Sequence, residues 1–547
     1  MRLSAMACFV VICWAQVSFC EETGAKQEMV VPQWGVAEFE LKYDGAVENP
    51  FVDVQATAEF KMPETALPAI KFEGFYDGDG TWKFRFVPRT EGQWAGQLTL
   101  KQGDKVLSEQ KVAFTCKGVK GRGFVHKSSV NPYRLEWEDG TPFYPIGIQP
   151  GSQGPMVGLD GPAQGQWRSV EFGTYLDEFE GKANLFRIQL GQGTDAGCAF
   201  QILTGKEGLY KYDLNNARLL DGAMKAMREH GFATIIIAFQ DMSLWGGSKN
   251  AFGTNRDLEG WKNIKNEEAL RPVRQYLRYL IARYGAYTDI WEMFNEDAYT
   301  PNEWLKEMAG FIRSYDPYKH IVTTNYERPT EDWCELVNPH EYMWMPASEV
   351  DGHLVKEIAR FKSFGKPVVY TEFGNQGTLS NNDPVKYRIA IWAAFMNEAA
   401  ILFWHTGGRI SQGRPDAKGN ANAYLGPEDR KYFKVFQDFV KDVPVTLRPV
   451  FNGFRGDPGD DLVRYALSDG KMTVLYLHHY GNHETKSQGT IYVWTGPGKF
   501  KVTWIDPATG EVKGTEEVTS KGEACIFKSP EVTIDMAAKM VLMEQPK

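Results

Sequence analysis

The chain reads as a mixed α/β protein in which a (β/α)8 barrel of the triosephosphate isomerase type stands between two small all-β sandwich domains. Three observations predict this. Residues up to about 118 and beyond about 445 run as short alternating segments broken by turns, which is the period of half-buried strands. The stretch between them alternates apolar runs with amphipathic helices, the pattern that builds a parallel sheet. Within that stretch eight apolar runs can be counted, the number that closes a barrel. At 547 residues the chain exceeds what one core usually organises, so a large domain with smaller companions is expected. With 43% hydrophobic and 24% charged residues, extensive disorder is excluded.

Residues 1–20 read as a signal peptide: Arg2 precedes the apolar stretch Ala5 to Val17, and Ser18-Phe19-Cys20 supplies a cleavage site after Cys20. The stretch is shorter than the roughly 20 residues of a spanning helix, and Glu21 and Glu22 follow at once, so no membrane span is expected. A secreted or periplasmic protein follows, with lipidation at Cys20 disfavoured by the bulk of Phe19. Without the leader four cysteines remain, Cys116, Cys198, Cys334 and Cys525. They are too scattered for a metal-binding CxxC, and four buried thiols are at least as good a reading as disulfides.

The first sandwich is expected over residues 27–118. Ala37 to Leu41 and Thr81 to Val87 alternate, and Asp77-Gly78-Asp79-Gly80 makes a tight turn between such segments. Gly118 to Gly123 is the linker. The barrel is expected over 124–441, with strands at 142–149, 183–190, 232–239, 288–295, 320–326, 336–342, 367–373 and 400–405. Leu270, Val273, Leu277, Leu280 and Tyr284 form one buried helical stripe, and Thr300-Pro301-Asn302-Glu303 predicts a capping box with proline at the first helical position. The second sandwich is expected over 445–547, with strands at 463–467, 472–478, 490–494 and 500–505.

The chemistry is sought at the carboxyl ends of the barrel strands. Strand four ends in Phe294-Asn295-Glu296 and strand seven in Thr371-Glu372-Phe373-Gly374, each setting a glutamate where an apolar strand stops. They lie 372 − 296 = 76 residues apart, or three β/α units of roughly 25 residues, which puts the two across the barrel mouth from each other. Facing carboxylates suit glycoside cleavage, where one protonates the leaving oxygen and the other meets an oxocarbenium-like centre, and a separation near 5 Å selects retention.

In combination these motifs resemble the strand-four and strand-seven signatures of clan A glycoside hydrolases, such as family 5. The resemblance implies that Glu296 is the acid/base, Glu372 the nucleophile, and Asn295 a ligand of the sugar 2-hydroxyl. It also implies that Arg187, on strand two, supports the nucleophile. His340 and Tyr342 resemble the strand-six pair whose tyrosine holds it, and Trp404 resembles the tryptophan that floors the sugar subsite. Asn49-Pro50-Phe51 and Gly74 through Pro88 resemble domain of unknown function 5060, and Glu138 to Phe143 resembles the barrel opening of apiosidase-like hydrolases. The tail resembles a domain named for collagen binding, a name that does not establish what such a sandwich binds.

Trp245, Phe252 and Trp261 in the loop 241–266 offer an aromatic platform for sugar rings, unless they pack that loop down. Arg409 and Arg414, within the glycine-rich stretch Gly407 to Gly426, offer a second wall for anionic groups on a substrate. A net charge of −9 without a basic run argues against nucleic acid as a partner. No zinc, acyl-transfer or phosphate-loop motif occurs, so no metal or cofactor is expected. The expected activity is retaining hydrolysis of a β-glycosidic bond in a poly- or oligosaccharide, the oligomeric state being left open. The alternative is a non-catalytic carbohydrate-binding or cell-surface protein on the same barrel, against which both strand-end glutamates speak.

Overall fold

The computed structural model describes residues 29–544 except 64, 150–170, 191–199, 201, 204–207, 241–251, 253–259, 376–382, 405, 407–424 and 456–458. The proposed leader, Cys198, Trp245, Arg409 and Arg414 lie outside the described residues.

Eight parallel strands form a curled sheet: Ile146–Ile148 (β1), Leu185–Gln189 (β2), Ala233–Gln240 (β3), Ile290–Asn295 (β4), Ile321–Thr323 (β5), His340–Met343 (β6), Val368–Asn375 (β7) and Ala399–Phe403 (β8). Their order is β5-β4-β3-β2-β1-β8-β7-β6, so β1 sits between β2 and β8 as a barrel requires. Across the remaining seam, side chains make the connection. Thr323 Oγ1 donates to the Leu336 carbonyl at 2.7 Å, and Asn325 Nδ2 donates to the Asn338 carbonyl at 2.7 Å.

The floor of the barrel is a layer of branched side chains, among them Leu185, Ile235, Ile290, Ile321, Val369 and Leu402. Side chains alternate along a strand, so Arg187 and Glu292, each two residues above this floor, point into the same interior level from alternate strands. The outer faces of the strands pack on the helices in a continuous core that includes Trp291, Trp304 and Trp392.

Two local expectations are corrected. The run 142–149 divides: Pro142–Phe143 pairs antiparallel with Leu135–Trp137, and Ile146–Ile148 alone enters the barrel. The helix Asn302–Tyr315 has Pro301 at its N-cap and no side-chain cap, because the Thr300 hydroxyl is taken by the carboxylate of Asp297. Of the two uses weighed for Phe252 and Trp261, the structure shows packing: Trp261 is buried, and both rings pack on Phe239.

Before the barrel, a five-stranded and a three-stranded sheet enclose an aromatic core of Phe60, Phe72, Phe86, Trp94 and Phe114. This unit is bolted to the helix Glu267–Tyr284: Arg278 grips Glu73 at 2.8 and 2.7 Å, and Gln275 donates to the Phe51 carbonyl at 2.6 Å. After the barrel, a six-stranded and a two-stranded sheet enclose Leu477, Val502, Trp504 and Met540. Here Arg388 pairs with buried Asp535 at 2.9 and 2.8 Å, and Trp392 stacks on Tyr476. Cys116, Cys334 and Cys525 are buried free thiols. Among the described residues no helix is long and apolar enough to cross a membrane.

Candidate active site

Glu372 enters the barrel mouth at an irregularity in β7. The strand pairs Tyr370 with Ile401 and Phe373 with Phe403, so three steps on β7 meet two on β8, and the extra residue re-aims the side chain between them. Its carboxylate is nearly fully buried and doubly held. Arg187 Nη1 donates to Oε1 at 2.8 Å, and the Tyr342 hydroxyl donates to Oε2. Burial, then the charge of Glu372, pushes the Tyr342 phenol far above its ordinary range, so it is a donor at any working pH.

Arg187 has no exposed surface and organises the floor of the site. Its Nε and Nη2 meet the two oxygens of Glu292 at 2.7 and 2.5 Å, Nη2 also reaches Asn295 Oδ1 at 2.7 Å, and Nη1 donates to Gln149 Oε1 as well as to Glu372. Burial opposes its charge, but Glu292 and then Glu372 outweigh that and raise its pKa further, so the guanidinium stays charged. Because the Asn295 carbonyl accepts from Arg187, its amide nitrogen is the end available to donate to a ligand.

Glu296 follows β4 with a backbone φ of 50°, a left-handed conformation that costs a non-glycine residue about 1–2 kcal/mol. Asn325 secures it: its Oδ1 accepts the Glu296 N–H at 3.2 Å while its own backbone bonds Phe294 and Asp297. His340 Nδ1 stands between the two glutamates, 3.0 Å from Glu296 Oε1 and 3.4 Å from Glu372 Oε2. One ligand-type atom from each of Glu296, His340 and Glu372 lies within 4.8 Å of the other two. That spacing would also suit a metal, yet an imidazole proton lying between two carboxylates accounts for it. A second such trio, Asp177, Glu180 and His230, lies on the surface. Trp404 follows β8, buried, with its backbone N–H donating to the Phe373 carbonyl at 2.9 Å.

Glu296, Glu372, Arg187, Asn295, His340 and Tyr342 are thus brought into one cluster at the carboxyl ends of the strands. Sequence reasoning missed Glu292, Gln149 and Asn325. Glu292 was detectable, since it shares the inward parity of Ile290, and a carboxylate facing a barrel interior must find a cation.

The described residues thus form a parallel barrel whose mouth holds two carboxylates, one of them clamped by a buried arginine and a tyrosine. The comparisons with known proteins agree with the barrel fold. The family model for domain of unknown function DUF5060 matches residues 30–100, so the chain carries that domain at its N-terminal side. No curated protein matches the chain in sequence. Among solved structures, a proposed glycoside hydrolase from Bacteroides vulgatus ATCC 8482 superposes with a TM-score of 0.66 at 18% identity, covering 94% of this chain and 100% of that one. A glycoside hydrolase family 5 protein from the same organism gives a TM-score of 0.53 at 15% identity, covering 77% of this chain and 93% of that one. At such identities the likeness is one of fold.

Proposed function

We propose that the chain is a retaining β-glycoside hydrolase that acts on an oligo- or polysaccharide outside the cytoplasm. One observation carries this reading: carboxylate oxygens of Glu296 and Glu372 approach within 4.8 Å across the barrel mouth. Retaining enzymes hold their carboxyl pair about 5–5.5 Å apart, whereas inverting enzymes leave about 6.5–9.5 Å for a water. Glu372, held by Arg187 and Tyr342, is the nucleophile, and Glu296 is the acid. Glu296 gives its proton to the glycosidic oxygen as the C1–O bond breaks and a Glu372 oxygen bonds C1. Water then attacks C1, loses its proton to Glu296, and Glu372 departs. Asn295 donates to the 2-hydroxyl. Export rests on the leader-like first 20 residues.

The test has two parts. Purified protein is screened against plant, algal and microbial polysaccharides, with product sizing and proton NMR of the first-formed anomer. A 2-deoxy-2-fluoro-β-glycoside with a good leaving group is then used to trap the intermediate. A β-anomer first and an adduct on Glu372 are expected. An inverted product, or an adduct on another residue, would overturn the mechanism.

A further inference from the structure

Three large aromatic side chains stand in water just after three consecutive barrel strands, at the end of the barrel that carries Glu296. Tyr299 follows β4 and is 55% exposed, Tyr326 follows β5 and is 42% exposed, and Trp344 follows β6 and is 76% exposed. Most large rings among the described residues are buried, and exposing one forgoes the apolar burial that favours folding. A cluster of such rings beside a site therefore marks a surface waiting for a ligand.

The backbones that bear these rings are anchored. Trp344 lies between Met343 and Met345, both buried, so its neighbours point inward while the indole points out. The Tyr299 N–H donates to Asp297 Oδ1 at 3.0 Å, and the Asp297 N–H donates to the Asn325 carbonyl at 2.9 Å. Arg328 then ties the two loops together, donating to the carbonyls of both Tyr326 and Asp297. Tyr326 also lies close enough to the chemistry that, after burial, the charges of Glu296, Glu327 and Glu372 push its phenol up. Rigid rings lose little entropy on binding.

The side of the site identifies the occupant. A general acid must touch the departing oxygen, so the leaving part of the substrate lies on the side of Glu296, with β4, β5 and β6. The sugar that stays on the enzyme lies toward Glu372, Arg187 and Trp404, on β7, β2 and β8. We propose that Tyr299, Tyr326 and Trp344 form a stacking rail for the sugar rings of the leaving group, so that the substrate is cut with further sugar units on its departing side. This rests on the glycosidase reading above and adds to it that the leaving group is an oligosaccharide.

The experiment compares substrates with and without a sugar leaving group. Trp344→Ala, Tyr326→Ala and Tyr299→Ala are assayed on β-linked gluco-, manno-, galacto- and xylo-tetrasaccharides and on the matching β-glycosyl fluorides, whose leaving group is a single atom. One aromatic contact is worth about 0.5–1.5 kcal/mol, or roughly 2–10-fold. The loss of kcat/KM on the tetrasaccharide should exceed the loss on the fluoride by up to about tenfold for Trp344→Ala, with a melting temperature close to that of the parent. If the parent cleaves both substrates and every variant loses equally on both, or on neither, the rail is overturned and the glycosidase stands. If the parent cleaves none of the probes, the glycosidase reading fails and the rail fails with it.

Discussion

Arg187 meets Glu372 at 2.8 Å through one edge of its guanidinium while Glu292 holds the other edge through both carboxylate oxygens. One buried cation is therefore divided between two buried anions on different strands. A guanidinium has fixed fork geometry, so fixing one edge orients the other. Glu292 thereby sets where Arg187 can place Glu372, although Glu292 itself touches no reacting atom.

The first prediction follows for this positioning residue. Glu292→Gln keeps the shape but sets an amide donor against the donors of Arg187, so the guanidinium should shift off Glu372. Misplacement of about 1 Å can cost about 100-fold, so kcat should fall roughly 10–100-fold while KM changes less. Glu292→Asp, which keeps the charge, should recover part of the rate. Equal changes in kcat and KM, or no recovery in the aspartate variant, would mean that Glu292 only supports the fold.

Tyr342→Phe removes one of the two donors that hold Glu372. A hydrogen bond to a charged group is worth about 1.5–3 kcal/mol, so kcat/KM should fall roughly 10–150-fold without loss of folding. The Tyr342 pKa is raised above its ordinary value, first by burial and then by Glu372. The alkaline limb of the parent's rate profile should consequently survive in the phenylalanine variant. A limb that vanishes with the hydroxyl would contradict that assignment.

How far the sequence disclosed this site depends on what kind of signal each residue left. Glu296 and Glu372 announced themselves because a charged residue ending an apolar strand has few structural uses, and their spacing matched whole β/α units. Arg187, His340 and Tyr342 were reached only through resemblance. Glu292 left only its inward parity within an apolar strand, a sign that it must find a cation but not that the cation is Arg187. The capping box failed because Asp297, three residues back in the loop after β4, competes for the Thr300 hydroxyl. The aromatic loop stayed between two readings because nothing in the spacing of Phe252 and Trp261 distinguishes a ring facing a sugar from one facing Phe239. Exposure separates the two uses, and sequence does not contain it.

The contact between the barrel and the C-terminal sheets predicts a pH dependence of stability. Asp351, on the helix Val350–Lys362, accepts from the Tyr465 hydroxyl at 2.8 Å and lies 2.9 Å from His478 Nδ1, while His478 Nε2 faces His483 Nε2 at 3.1 Å. Burial, then the neighbouring His478, holds His483 below its ordinary 6.5, with Arg388 and His479 adding to this and Asp535 opposing it. A folded-state value below the unfolded one means that the folded chain prefers the neutral ring. The stabilisation is full above pH 6.5 and declines as the pH falls below it. Asp351 is also depressed: burial raises it, but His478 and Tyr465 outweigh that, so its contribution is lost only at lower pH, below the ordinary carboxylate range. The melting temperature should drop between pH 7 and pH 5, and His483→Asn should flatten that drop. An unchanged slope in the variant would remove His483 from the account.

Glu296→Ala should separate the two chemical steps. Protonation matters most when the departing group is a poor one, so a dinitrophenyl β-glycoside of the preferred sugar should still form the glycosyl-enzyme on Glu372. The second step then lacks the base that activates water, so the intermediate accumulates and steady-state turnover falls by about 100–10,000-fold. Azide needs no base and fits the space that the carboxylate vacates, so adding it should restore turnover on this substrate. Two displacements at C1 return the starting configuration, and the product should be the β-glycosyl azide. His340 would keep its place through Glu372 Oε2, 3.4 Å from its Nδ1, so the loss would not come from collapse of the site. Rate recovery with azide is read by dinitrophenolate release, and the configuration of the product by its anomeric proton coupling. If azide neither restores turnover nor yields the β-azide, Glu296 is not the acid/base. Another carboxylate at the barrel mouth must then be sought, and Glu341 is not one, because it faces away from the mouth and pairs with His353 on the helix Val350–Lys362.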